Sequence, residues 1–351
     1  HYSLGEAYRK QGLLNEALDA YQKALEILPE YPWVFSARGQ LYQMIGDLDK
    51  ALADFNRLGE LWPKDAWVYA VRGDLLEQMG KIENALEAFQ KAVKLRNDYG
   101  WVHCRIGIIH RLYHNFDQSL EAFDKALEIM PGFGTAYVER AETYRQLGEY
   151  KKAYNDLEIS KVLLGEDAWM YAVLAEVQRG LKQTDQALQS FSHSLEIDPV
   201  YDWAFAHRGR LRRELKQYDL ALQDFNQALS IKDNYIWAFY QRGELYQEMG
   251  ESELAWADFQ QTLLLNAKYY WARAGCAEIL IQQQKYEEAI PYLEAFLLGK
   301  PEDAWGLGQL GYVYEKCGQY EQALRNYWQA LTFDPENDWA RQRLEVLQNM
   351  D

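Results

Sequence analysis

At 351 residues the chain is long enough for two or three globular domains, and its 48% apolar content is ample for a core, which excludes a disordered or low-complexity protein. A formal net charge of −16 speaks against general binding of nucleic acid or anionic membranes, and no apolar run approaches the roughly 18 residues that a membrane span needs. There is no charged-then-apolar leader, and Cys104, Cys276 and Cys317 are odd in number and far apart, so a reducing, cytoplasmic setting is expected rather than a disulfide framework.

In chain order, the predicted elements repeat. Rows of 34 residues, numbered so that Trp203 is second in its row, align ten repeats, each reading as two amphipathic helices and a short polar turn. The first repeat enters at its fourth place without an initiator methionine, which reads as a segment of a longer protein. The eighth place is small throughout: Gly5, Gly39, Gly73, Gly107, Ala141, Ala175, Gly209, Gly243, Ala277 and Gly311. So is the twentieth, from Ala17 and Ala51 to Ala323, which predicts a close crossing of the two helices there. The twenty-fourth is mostly a large aromatic, such as Tyr21, Phe55, Phe225 and Tyr327. Gly12, Gly46, Gly80, Gly148, Gly250 and Gly318 mark left-handed turns between the helices, and Pro29, Pro63, Pro131, Pro199, Pro301 and Pro335 close the second helix. The fifth repeat departs most, with Thr135, Ala141 and Leu157 behind Gly132 and Gly134, and reads as a divergent repeat or a softer joint. Pro291 predicts a kink in the second helix of the ninth. Residues 338–351 open like another repeat, with Trp339, but put Glu345 at the eighth place, which predicts a capping helix.

This pattern resembles the tetratricopeptide repeat, a helix–turn–helix of 34 residues, over residues 1–337. The resemblance implies an all-α, right-handed superhelical solenoid of antiparallel helix pairs, first helices on the concave face and second helices on the convex one. No pair buries both faces alone, so stability is a sum over stacked neighbours.

Two places carry the sharper expectations. At the seventh, Arg38, Arg72, Arg140, Arg208 and Arg242 occur, and four of these repeats alone carry an acid at the twenty-third: Asp54, Asp156, Asp224 and Asp258. The coincidence predicts four bidentate bridges between paired helices, leaving Arg72 opposite Ala88. At the second place, nine of the twelve tryptophans recur, among them Trp101, Trp169, Trp203, Trp237 and Trp271. By the resemblance, this place faces the groove, which predicts a ladder of indoles. Packing between successive first helices and stacking on a ligand are both open to it.

Around the indoles the ninth place is mostly acidic, while the twelfth holds Arg111, Arg145, Arg179 and Arg213 in consecutive repeats. Neutralisation at i,i+3 accounts for Glu142–Arg145 and Glu176–Arg179. A surplus around Arg105, Arg111, Arg210 and Arg213 is the candidate for meeting an acidic peptide segment. The sixth place, Ala37 through Gln309, carries neither an asparagine ladder nor the features of a carboxylate clamp. Gly306, Gly308 and Gly311 match G-x-G-x-x-G, but inside a predicted first helix, where no dinucleotide site forms. His103, His110 and His114 lack a second ligand motif, and no nucleophile–base pair stands out, so no metal, cofactor or catalysis is expected. The expected function is a scaffold capturing a peptide or protein partner in the groove, with self-association as a further possibility. The phrasing also resembles bacterial arrays attached to signalling or defence enzymes, which implies, as the alternative, a sensor arm of a larger enzyme.

Overall fold

The computed structural model describes residues 1–349; Met350 and Asp351, the end of the expected capping segment, lie outside the described residues. Twenty-one helices and no strands occur among the described residues. The first five pairs are α1 (Tyr2–Lys10) with α2 (Leu14–Ile27), α3 (Pro32–Ile45) with α4 (Leu48–Leu61), α5 (Ala66–Gln78) with α6 (Ile82–Leu95), α7 (Gly100–Leu112) with α8 (Phe116–Ile129), and α9 (Gly134–Gln146) with α10 (Tyr150–Leu164). Next come α11 (Ala168–Gly180) and α12 (Thr184–Ile197), α13 (Asp202–Glu214) and α14 (Tyr218–Ile231), and α15 (Ile236–Glu248) and α16 (Ser252–Leu265). The last are α17 (Tyr270–Gln282) and α18 (Tyr286–Gly299), α19 (Ala304–Lys316) and α20 (Tyr320–Phe333), and the unpaired α21 (Asp338–Gln348).

The turns follow the sequence. Glycines 12, 46, 80, 148, 250 and 318 all have positive φ, between +72° and +85°. His114, Lys182, Lys216 and Gln284 hold the same place at φ near +60°, a region that costs a side-chain-bearing residue about 1 kcal/mol or more. α9 and α10 pack as closely as any other pair, so the fifth repeat is divergent in sequence and ordinary in form. α18 runs unbroken through Pro291, which sits at its sixth residue.

The small eighth place has a more specific cause than a backbone crossing. A Cβ built on Gly5, Gly39, Gly73, Gly107, Gly243 or Gly311 would meet the aromatic ring of the twenty-fourth place at 2.6–3.0 Å. The ring lies on the glycine and is itself fully buried, as at Phe55, Phe89, Phe123 and Phe259. These rings, with the alanines of the twentieth place, form the core between paired helices. The three glycines of G-x-G-x-x-G lie inside α19 against Phe296, Trp339 and Tyr327.

Contacts divide the chain into two compact bodies, the first ending at Ala187 in the first turn of α12 and the second beginning at Leu188. In the first, α1 touches α3 and both α7 and α11 touch α9; in the second, α13 touches α15. These contacts bring first helices side by side within each body. At the end of the second body α21 covers α20 with Ala340, Leu344 and Leu347, while Glu345 points outward. That is the arrangement expected of a cap.

Candidate functional site: the tryptophan wall

The indoles hang from the first turns of the first helices. Asp65, Asp167, Asp303 and Asn337 cap α5, α11, α19 and α21 by accepting backbone N–H groups at 2.7–3.0 Å, and Trp67, Trp169, Trp305 and Trp339 follow two residues later. From there the ring reaches back to the aromatic of the preceding second helix. Trp67 meets Phe55, Trp101 meets Phe89, Trp305 meets Phe296 and Trp339 meets Tyr327, edge-on, with centroids 5.8–6.5 Å apart. Such pairs contribute about 0.5–1.5 kcal/mol beyond the area they bury. The ladder therefore has a packing role, and its members keep part of their surface: Trp101, Trp169, Trp203 and Trp237 are half-buried and Trp271 is 45% exposed.

One stretch shows what fits between successive indoles. The His207 imidazole stacks on Trp203 at 3.7 Å and on Trp237 at 4.5 Å, with interplanar angles of 24° and 19°. Tyr201 stacks on Trp203, and the Arg210 guanidinium lies 5.5 Å from the Trp237 ring centre. A protonatable, flat side chain thus fills the slot between two rungs.

The seventh-place arginines are bidentate, as expected. Arg38–Asp54, Arg140–Asp156, Arg208–Asp224 and Arg242–Asp258 each make two bonds of 2.7–3.0 Å. The bond to Asp54 holds the Arg38 guanidinium above its ordinary pKa. Sequence reasoning missed the third contact. Nη1 of each arginine reaches back 16 residues to the preceding second helix, at Gln22, Asp124, Ser192 and Asn226, so that each ties three helices together.

The arginines of the basic strip all have carboxylates beside them within the chain. Arg145 and Arg179 bond Glu142 and Glu176 at i,i+3, as read from the sequence. The expected surplus, however, has carboxylate partners within the chain: Arg105 has Glu77 at 3.0 Å, Arg111 has Glu139, Arg210 has Glu214 at 3.9 Å, and Arg213 has Glu244 at 2.6 Å. The side chains of Arg111 and Arg213 are only 10% and 16% exposed. The pairing crosses repeats at fixed offsets. The twelfth place reaches the ninth of the next repeat, 31 residues on, in Gln43–Asp74, Arg145–Glu176, Arg213–Glu244 and Gln247–Glu278. It reaches the sixth, 28 on, in Glu77–Arg105, Arg111–Glu139 and Glu315–Arg343. Burial pushes the Glu139 carboxyl up, against the pull of Arg111.

In the second body the wall opens into a cavity of about 200 Å³ lined by Tyr240, Glu244, Gln247, Trp271, Glu278 and Trp305, with Phe259, Ala274 and Gly275 at its floor. Gly275 holds the place that His207 holds two repeats earlier, and the Phe259 ring, 2.5 Å from where a Cβ would stand, requires glycine there. His103 is buried, with Nε2 against Asn97, and no group of His, Cys, Asp and Glu suited to a metal occurs among the described residues. No described helix is long and apolar enough to cross a membrane.

A family model described as TPR repeat matches residues 5–46 and 209–250, and two described as Tetratricopeptide repeat match residues 304–337 and residues 68–99 and 170–201. No curated protein matches by sequence. Among solved structures, PilF of Pseudomonas aeruginosa is similar at 20% identity and TM-score 0.56, over 62% of this chain and 97% of that one. Cut9 with Hcn1, from the APC/C, is similar at 14% and 0.53, over 98% and 88%. The human IFIT1 dimer with PPP-AAAA is similar at 18% and 0.58, over 94% and 89%. At these identities the likeness is one of fold.

Proposed function

The chain belongs to the tetratricopeptide repeat family, and from that premise we propose that it is a non-catalytic scaffold that binds a peptide or protein partner along the tryptophan wall. The observation that carries this reading is the set of partly open indoles at one register place, Trp101 and Trp169 in the first body and Trp203, Trp237 and Trp271 in the second, among side chains whose charges mostly pair within the chain. Rigid aromatic area of this kind dominates binding energy at protein interfaces. Arg111, Arg145, Arg179 and Arg213 set the charge and spacing of the wall, and an acidic group of a partner meets them by exchanging with Glu139, Glu142, Glu176 or Glu244. A nucleic-acid ligand of the kind seen with the IFIT1 neighbour is disfavoured by the net charge of −16.

The test is selection from a random-peptide phage library on the whole chain, repeated on Trp203→Ala/Trp237→Ala with folding checked by circular dichroism. Enriched peptides that bind the parent and lose at least tenfold on the variant are expected. Enrichment that survives the double substitution unchanged would place binding elsewhere.

A further inference from the structure

The charge ladder breaks at Asp74, which bonds Gln43 and Gln78, and again at Glu278, where a cavity adjoins the break. Along α9, α11 and α15 the ninth-place acid meets an arginine: Glu142 meets Arg145, Glu176 meets Arg179, and Glu244 meets Arg213. At α17 the twelfth place of the preceding repeat is Gln247, which donates one hydrogen bond of 2.5 Å to Glu278 and brings no charge. Among the described residues no cation pairs with Glu278. Arg213 is engaged by Glu244 and Glu248, Arg242 by Asp258, and Arg273 turns to the Ala267 carbonyl. Lys300 lies 5.9 Å from the Trp271 ring centre, at the outer edge of a cation–π contact. The half-buried Glu278 carboxylate therefore faces a cavity of about 200 Å³ whose walls include the rings of Trp271, Trp305 and Tyr240.

The same wall supplies the template for an occupant. Two repeats earlier, the slot between Trp203 and Trp237 is filled by the flat, protonatable ring of His207, with the Arg210 guanidinium close by. At Gly275 the chain supplies no stacked, protonatable ring: the buried Phe296 touches both Trp271 and Trp305, but at interplanar angles of 56° and 87° and without charge. A planar cation satisfies the indole faces by stacking and the carboxylate by a charge-assisted pair, and the fork of a guanidinium does both better than an ammonium.

We propose that the cavity between Trp271 and Trp305 is a subsite for one arginine side chain of the partner, held between the indoles and paired with Glu278. This deepens the wall reading above and rests on it. The partner's basic residue thereby completes the ladder that Gln247 leaves uncharged.

The test uses the whole chain with N-acetyl-arginine methylamide and its uncharged isostere, N-acetyl-citrulline methylamide, titrated under saturation-transfer NMR. The arginine derivative is expected to bind at least tenfold more tightly than the citrulline one. Glu278→Gln should lower arginine binding about tenfold and leave citrulline unchanged. Gln247→Arg, which gives Glu278 an internal partner, should abolish arginine binding while the thermal midpoint holds or rises. Equal binding of the two derivatives, or arginine binding that survives Gln247→Arg, would overturn the subsite. If it fails while library peptides still depend on Trp203 and Trp237, the wall reading stands alone. If those peptides ignore the tryptophans, the wall reading fails by itself.

Discussion

Arg72 stands where four other repeats carry a bidentate arginine, yet it faces Ala88, and its buried Nε has no hydrogen-bond partner. Its guanidinium rests on the Tyr69 ring at 5.1 Å instead. Ala88→Asp should supply the missing carboxylate and stabilise the chain by about 1 kcal/mol, read as a higher urea midpoint at unchanged slope. A loss of stability would mean that the desolvation of a fifth pair outweighs its bonds. The four existing bridges were legible because one chain repeats the experiment ten times, so that Arg and Asp are seen to appear together. Their third ligands were not, because Gln22, Asp124, Ser192 and Asn226 share no chemistry beyond an acceptor oxygen. Glu278 supports a pH prediction. Its carboxyl is held above the ordinary glutamate range, first by burial and also by Glu244, against the pull of Gln247. The folded chain thus holds this proton more tightly than the unfolded one, so its stabilising contribution is present at low pH and falls as pH rises from the unfolded value through the raised folded one. Glu278→Gln should match the parent near pH 4 and melt higher at pH 7; a constant offset at all pH values would contradict the assignment.

At the scale of a helix pair, the controlling contact is a ring lying on a glycine. Gly243 takes the Phe259 ring 2.7 Å from where its Cβ would stand, so Gly243→Ala must move a fully buried ring and should cost about 1–3 kcal/mol. Adding Phe259→Leu should recover part of that loss, a coupling that a double-mutant cycle measures. The chain already contains the relaxed pairing, Ala141 with Leu157 and Ala277 with Leu293, all fully buried. The sequence showed that the eighth place is small but not what fills the space, since smallness alone does not distinguish a backbone crossing from an aromatic lid. Every eighth-place glycine faces an aromatic, and two of the three alanines face leucine, Ala175 with Phe191 being the exception; that partial covariation is the signal that distinguishes them. The charge ladder escaped notice for a related reason: offsets of 28 and 31 residues join neighbouring repeats, and they acquire meaning only once the stacking of first helices is known.

At the scale of the whole molecule, each repeat touches mainly its neighbours, so damage should stay local. Leu344→Ala, in the cap, removes a buried side chain packed with Ala323, Tyr327 and Ala330. It should speed amide exchange in α19, α20 and α21 by an opening cost lowered about 2–4 kcal/mol, and leave α3 to α9 unchanged. Uniform acceleration along the chain would mean that it folds as one cooperative block. Repeat number, pairing and most turns were legible because the rows repeat them, and the cap because Glu345 breaks the eighth-place rule in the last row. The tryptophan row was legible as a row, but its double character, edge packed on a neighbour and surface left open, depends on distances that periodicity does not carry. The direct test is ¹⁹F NMR of the 5-fluorotryptophan-labelled chain, titrated with a library-selected peptide. Trp203, Trp237 and Trp271, on first helices, are predicted to shift, while Trp256 and Trp328, on second helices, stay fixed. Shifts confined to Trp256 and Trp328 would contradict the account.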